Sequence, residues 1–123
     1  MSGSIDVLVD KRNVFPPDLV WYAEGRVPAT DGPRPYALPD LAAEVRSPST
    51  WRFDVGRKKG LYEAEGLPEL WLVDTAAETV LVFRQSTADA PGFDVALELS
   101  RGGEIASPQL TGFLLFVDEL FAE

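Results

Sequence analysis

The run from Leu38 to Asp74, LPDLAAEVRSPSTWRFDVGRKKGLYEAEGLPELWLVD, carries the change of period that decides the fold. Leu41 to Arg46 is a short apolar run closed by Ser47-Pro48-Ser49-Thr50, a cluster of strand-ending residues. From Trp51 to Glu65 the spacing becomes helical. Val55, Leu61, Tyr62 and Ala64 are its apolar positions, and Ser49, Thr50 or Asp54 is placed to cap its start. Gly66, with Pro68 just beyond, stands where a helix ends, while Gly56 and Gly60 inside the segment weaken it. Leu70 to Val73 is compact enough for a buried central strand, and Asp74 turns the chain into Thr79 to Arg84 as a hairpin.

Upstream, seven of the ten prolines fall within the first 48 residues, so that third reads as short extended pieces and turns. Leu19 to Tyr22 is a strand, expected to start as early as Val14, and Ala29 to Pro39 is a connecting loop. Downstream, Phe93 to Leu99 alternates as a further strand, Gly102-Gly103 turns the chain, and Leu110 to Phe121 is an apolar tail. The order strand, strand, helix, strand, strand, strand makes the helix a crossover on one face of a mixed central sheet, an α/β fold. With 123 residues there is room for one core, so residues 1–123 are expected to form one domain.

Composition narrows the chemistry. Hydrophobic residues make up 46% and charged residues 25%, close to the globular average, so the chain is expected to fold. With neither cysteine nor histidine, disulfides, thiolate zinc sites and imidazole catalysis are excluded, which leaves carboxylates, Lys, Arg, Tyr and hydroxyls. There is no apolar run long enough to cross a bilayer and no leader-like N-terminus, so a soluble, cytoplasmic protein is expected. The net charge is −9, yet the stretch from Arg46 to Lys59 holds five bases and one acid. Such a positive island in an acidic chain is a candidate anion site, or an ordinary solvated helix face.

Asp18 follows Pro16-Pro17, and Glu44 sits inside the apolar run Leu41–Val45, where a carboxylate is costly to bury without a cation. Alternation puts Ala42, Glu44 and Arg46 on one face of the strand and Leu41, Ala43 and Val45 on the other. A salt bridge from Glu44 to Arg46 or Arg52, or exposure at an edge, would be the structural explanation. Helical spacing places Val55, Leu61 and Tyr62 on the face of Lys58 and rotates Lys59 toward a more solvated surface. Lys58 either snorkels from that apolar stripe or is aimed at the carboxylates on the sheet beneath. Two strand carboxylates with a converging lysine suit phosphodiester hydrolysis with Mg²⁺ or Mn²⁺, hard cations that prefer oxygen ligands.

The series PPDLVWY, LPDLAAEVRSPST and DVGRKKGLYEAEGLPELWLVD, from about Val14 to Phe83, resembles the Uma-two family of restriction endonucleases in the PD-(D/E)xK nuclease superfamily. The resemblance implies a restriction-endonuclease-like sheet, N-terminally shortened because members carry a further helix and strand before this region. It implies that Asp18 and Glu44 are the metal ligands. It also implies that the superfamily lysine is displaced from the strand, where Arg46 stands, to the helix at Lys58. Asp40 and Ser47 match family positions with an accessory role near the site, Arg46, in the place of the displaced lysine, is a further accessory candidate, and Tyr62 and Trp71 match as packing residues. DNA is the implied substrate. The sheet edge left by the shortening is an expected seat for a second copy, hence a homodimer. The competing expectation is an inactive, truncated member serving as a binding or oligomerisation module, and a weaker one is a structural protein in which Lys58 and Glu44 merely pair in the core.

Overall fold

A computed structural model describes residues 7–10, 13–15, 17–29, 35–45 and 54–121. At its centre is a five-stranded sheet of β3 (Leu19–Trp21), β4 (Leu41–Val45), β5 (Glu69–Asp74), β6 (Thr79–Arg84) and β7 (Val95–Leu99), in that spatial order. β4 and β5 run parallel, with Leu41 beside Glu69 and Val45 beside Val73, and the other neighbours are antiparallel. Parallel neighbours need a crossover. It contains a π-helical turn, Asp54–Lys58, that continues directly into α1 (Lys59–Ala64). The helical segment is described from Asp54 and ends at Ala64, close to the Glu65 expected, and its first described turn is wide. Two glycines within eleven residues, Gly56 and Gly60, make regular α-helix costly there. Trp51, Ser49 and Thr50, with the capping role expected of the last two, lie outside the described residues.

Helix α1 ends where Gly66 takes φ +82°, a left-handed conformation that glycine adopts without Cβ strain. The Gly66 N–H donates to Glu63 O at 3.2 Å, and the Leu67 N–H donates to Tyr62 O at 3.0 Å. These two bonds form a Schellman motif, whose accompanying apolar contact is between Leu67 and Tyr62, both fully buried in one core cluster.

The sheet separates two apolar layers. Ala42, Leu70 and Leu72 point toward α1 and pack with Tyr62, Leu67, Val7 and Val9. Leu41, Ala43, Trp71, Val73, Val80 and Val82 point the other way and pack with Ile105 and Val117. The alternation expected for β4 therefore holds, and both of its faces are covered, as the continuous apolar character of β4 and β5 requires. The second layer is the C-terminal segment, expected only as an apolar tail. It forms a ribbon of β8 (Glu104–Ile105) and β9 (Leu115–Phe116) followed by α2 (Val117–Leu120).

The N-terminal region differs from the sequence reading. Val14 and Phe15 do not extend the first sheet strand. They belong to β2 (Asn13–Phe15), which pairs with β1 (Val7–Asp10) in a separate antiparallel ribbon. The Leu8 N–H donates to Tyr36 O at 2.8 Å, attaching the ribbon to the loop before β4. Pro17 stands between β2 and β3, where a residue that cannot donate to a ladder interrupts the strand.

Candidate functional site

Glu44 lies on β4, between β3 and β5, and is 2% exposed. It shares the face of Ala42, beneath the helical crossover. Lys58, the last residue of the π turn, reaches down to it, with Nζ 3.2 Å from Oε2 and 3.4 Å from Oε1. Its side chain is 15% exposed, so the pair is largely dry and the carboxylate has the cation that its burial demands. The adjacent Lys59 is turned toward Glu63 and is the more solvated of the two lysines, 28% exposed at its side chain against 15%, as expected, although it also lies over two aromatic rings. Its Nζ stands 4.8 Å from the Phe83 ring centre and 5.9 Å from that of Phe93, and 3.7 Å from Glu63 on the next helical turn. The Phe93 N–H donates to the same Glu63 carboxylate at 2.7 Å, so α1 is fastened to β6 and to the loop before β7.

Asp18 stands across the β3–β4 pair from Glu44. Its N–H donates to Ala43 O at 3.1 Å, and its Oδ2 accepts the Val45 N–H at 2.7 Å, so its contacts bracket Glu44 on the facing strand. An Asp side chain bonded to main chain in this way closes the end of a ladder. The Asp18 side chain is exposed, and its Oδ1 has no hydrogen bond among the described residues. The structure therefore places Asp18, Glu44 and Lys58 around one end of β4.

Asp40 is kept apart. It precedes β4 at the opposite end, four residues or roughly 13 Å of strand from Glu44. Its carboxylate accepts the Ala23 N–H at 2.7 Å and pairs with Arg26, whose other guanidinium nitrogen donates to Leu38 O at 3.0 Å. In the same latch the Tyr22 hydroxyl donates to Ala37 O at 2.6 Å, and burial raises its pKa above the usual 10.0 against the opposing pull of Arg26. Asp40 thus organises the loop between β3 and β4. The accessory candidates Arg46 and Ser47 lie outside the described residues, as does Arg52. Of the positive island, Arg57, Lys58 and Lys59 are described, and Arg57 is exposed.

A second buried carboxylate escaped the sequence reading. Glu69, 1% exposed, starts β5 on the face opposite Glu44. It accepts from Trp71 Nε1 at 2.7 Å, Ser107 Oγ at 2.6 Å and Gln109 Nε2 at 3.2 Å, with Arg84 Nη1 at 3.6 Å. The available signal was Trp71, two residues on and therefore on the same face of a strand, whose indole N–H needs an acceptor when buried. Trp71 itself packs as expected, stacked on Phe113 at 6.2 Å, and Tyr62 is fully buried in the core. No group of three or more Asp or Glu residues converges on one point among the described residues, and none of their helices is long and apolar enough to cross a membrane.

A mixed five-stranded sheet with a helical crossover above a buried carboxylate–lysine pair defines an α/β architecture with its polar site at the end of a parallel strand. The chain belongs to the Uma2 family, described as "Putative restriction endonuclease", whose family model matches residues 1–113. That match begins thirteen residues before Val14, where the sequence resemblance began. A crystal structure described as a "putative nuclease belonging to DUF820" from Anabaena variabilis shares the fold, with a TM-score of 0.75 at 18% identity over 97% of this chain. The chain spans 65% of that protein's length. No curated protein matches the chain.

Proposed function

We propose that this chain is a nuclease domain that hydrolyses phosphodiester bonds in DNA with a divalent metal ion, Mg²⁺ or Mn²⁺. The observation that carries the reading is the Lys58 to Glu44 contact at 3.2 Å, made beside Asp18 in a family described as restriction endonucleases. Asp18 and Glu44 would hold the ion, and the donor chemistry fits. Both are hard oxygen donors, Asp18 Oδ1 has no hydrogen bond among the described residues, and two carboxylates leave the remaining positions to water, as Mg²⁺ prefers. When bound, such an ion polarises the phosphate and makes a bound water acidic. Lys58 has three ammonium protons and shares them with Glu44, so it is placed to hold a phosphate oxygen or orient a water at that edge. Arg57, on the same helical segment, supplies a further cation toward the DNA backbone, and local charge of this kind is needed because the chain as a whole carries −9.

The assay is nicking of supercoiled plasmid by purified protein with Mg²⁺ or Mn²⁺. Asp18→Asn and Glu44→Gln preserve the local acceptors while removing the charge, and each is expected to lower the rate by about 10²-fold or more. Nicking that persists unchanged in both variants removes the assignment.

A second reading is a binding or oligomerisation module without catalysis. It is favoured by the engagement of both Glu44 oxygens by Lys58 in a site that is nearly dry. Metal titration separates the two. Thermal stabilisation by Mg²⁺ that disappears in Asp18→Asn supports the nuclease, whereas the absence of any carboxylate-dependent response supports the module. The proposal includes a cytoplasmic setting and a homodimer in which a second copy lies along the outer edge of β3. Among the described residues no strand pairs with that edge, and Leu19 on it is 52% exposed.

A further inference from the structure

Glu69 and Arg84 sit on the wall of a cavity of about 460 Å³ that lies away from Lys58 and Glu44. It opens between the turn at Gly66–Pro68, the loop following β6, and Pro108–Gln109, on the side of the sheet covered by the C-terminal segment. Arg84 is 19% exposed at its side chain and is held from behind. Its Nη1 stands 3.6 Å from Glu69 Oε2 and donates to Ala106 O at 3.4 Å. Among the described residues, Nε and Nη2 have no acceptor. A guanidinium has five N–H donors in a rigid fork, so a carboxylate on one edge leaves the other edge directed and unspent. Glu69 does not compete for that edge, because its oxygens already accept from Trp71, Ser107 and Gln109.

The rest of the wall suits the same class of ligand. Thr87 adds a hydroxyl without a partner among the described residues, and Gln109 adds an amide, while Pro68, Ala88 and Pro108 are apolar. The volume falls in the range of pockets that bury small molecules. We infer that this cavity is a second binding site, independent of the nuclease reading, that takes a small molecule bearing one oxyanion, a carboxylate or a phosphate. The oxyanion sits on the free edge of Arg84 and the body of the ligand lies on the proline wall. An acidic protein of net charge −9 offers no general attraction to such a ligand, so binding depends on this single oriented cation.

The test is a titration of the whole chain, labelled with ¹⁵N, with inorganic phosphate and separately with acetate. The expected result is saturable movement of the Arg84 side-chain Nε–H and of the Thr87, Ala88 and Gln109 signals with at least one of the two anions, phosphate and acetate distinguishing tetrahedral from planar preference. Arg84→Lys keeps a cation for Glu69 but loses the fork, and is expected to weaken binding about tenfold. Thr87→Val, on an exposed loop, provides a variant that leaves the buried network intact and is expected to weaken it by a smaller factor. Lys58→Arg should leave the titration unchanged. Shifts confined to Arg57, Lys58 and Lys59, or the absence of saturation with both anions, overturn the inference whatever the outcome of the nicking assay.

Discussion

Lys58 is a cation on the apolar side of its helix, and its partner is a carboxylate only 2% exposed. Removing one member of such a pair takes from the other a close opposite charge in a nearly dry site, which costs more than the pair contributes to stability. Lys58→Met is therefore expected to destabilise the fold by about 3 kcal/mol, whereas the double replacement Glu44→Leu with Lys58→Met is expected to recover most of that loss. Equilibrium denaturation in urea checks both, provided the slope is unchanged. A double variant as unstable as the single one would show that the pair's other neighbours, and not its charge balance, set the cost. At this scale the sequence was informative about Glu44 and Lys58, because a carboxylate in LAAEV and a lysine beside Leu61 and Tyr62 both violate the surroundings that charges prefer. It was uninformative about Asp40. Its match to a family position implied a role near the site, but the strand places it at the far end of β4, where Arg26 and the Ala23 N–H use its carboxylate.

Among the elements, the helical crossover determines whether Lys58 reaches the sheet at all. Its C-terminal anchor is the pair of bonds at Gly66 and Leu67, and its lateral anchor is Lys59 and Glu63 against Phe83 and Phe93. Gly66→Ala meets no steric obstacle, since nothing lies within 4 Å of the added Cβ, so its effect is the cost of the φ of +82° alone. That cost is expected to be about 1–2 kcal/mol, a fall in Tm of about 3–8 °C in a domain of this size. Differential scanning calorimetry measures it, and an unchanged Tm would mean that the turn relaxes out of the left-handed region. The glycine and the proline after it were legible in the sequence as a helix stop. The π turn was not, because periodicity reports which residues face the core and not how many backbone atoms each hydrogen-bonded ring contains.

For the whole molecule, the sheet has two outer strands, β3 and β7, and the proposed homodimer uses the first. Sedimentation velocity is expected to give twice the chain mass of 13.5 kDa, and Leu19→Lys is expected to return the protein to the monomer by putting a charge on that edge. A wild-type protein that sediments as a monomer at tens of micromolar would remove the dimer and leave the fold untouched. The order of strands and the crossover were readable from the chain because they depend on local period, on turn residues and on the rule that parallel neighbours need a long connection. The separate ribbon of β1 and β2 was not, since Val14 and Phe15 suit a strand equally well whichever neighbour they pair with. Glu69 illustrates the same limit, because its donors come from residues 71, 107 and 109 and its ion-pair partner is Arg84, and only folding brings 69 and 109 together. By itself, then, the sequence determined the α/β plan, the absence of thiol and imidazole chemistry, and which carboxylate and lysine had to find partners. Tertiary structure alone decided which partners they found, because burial and hydrogen bonding between segments distant in the chain are set by packing and leave no local period to read.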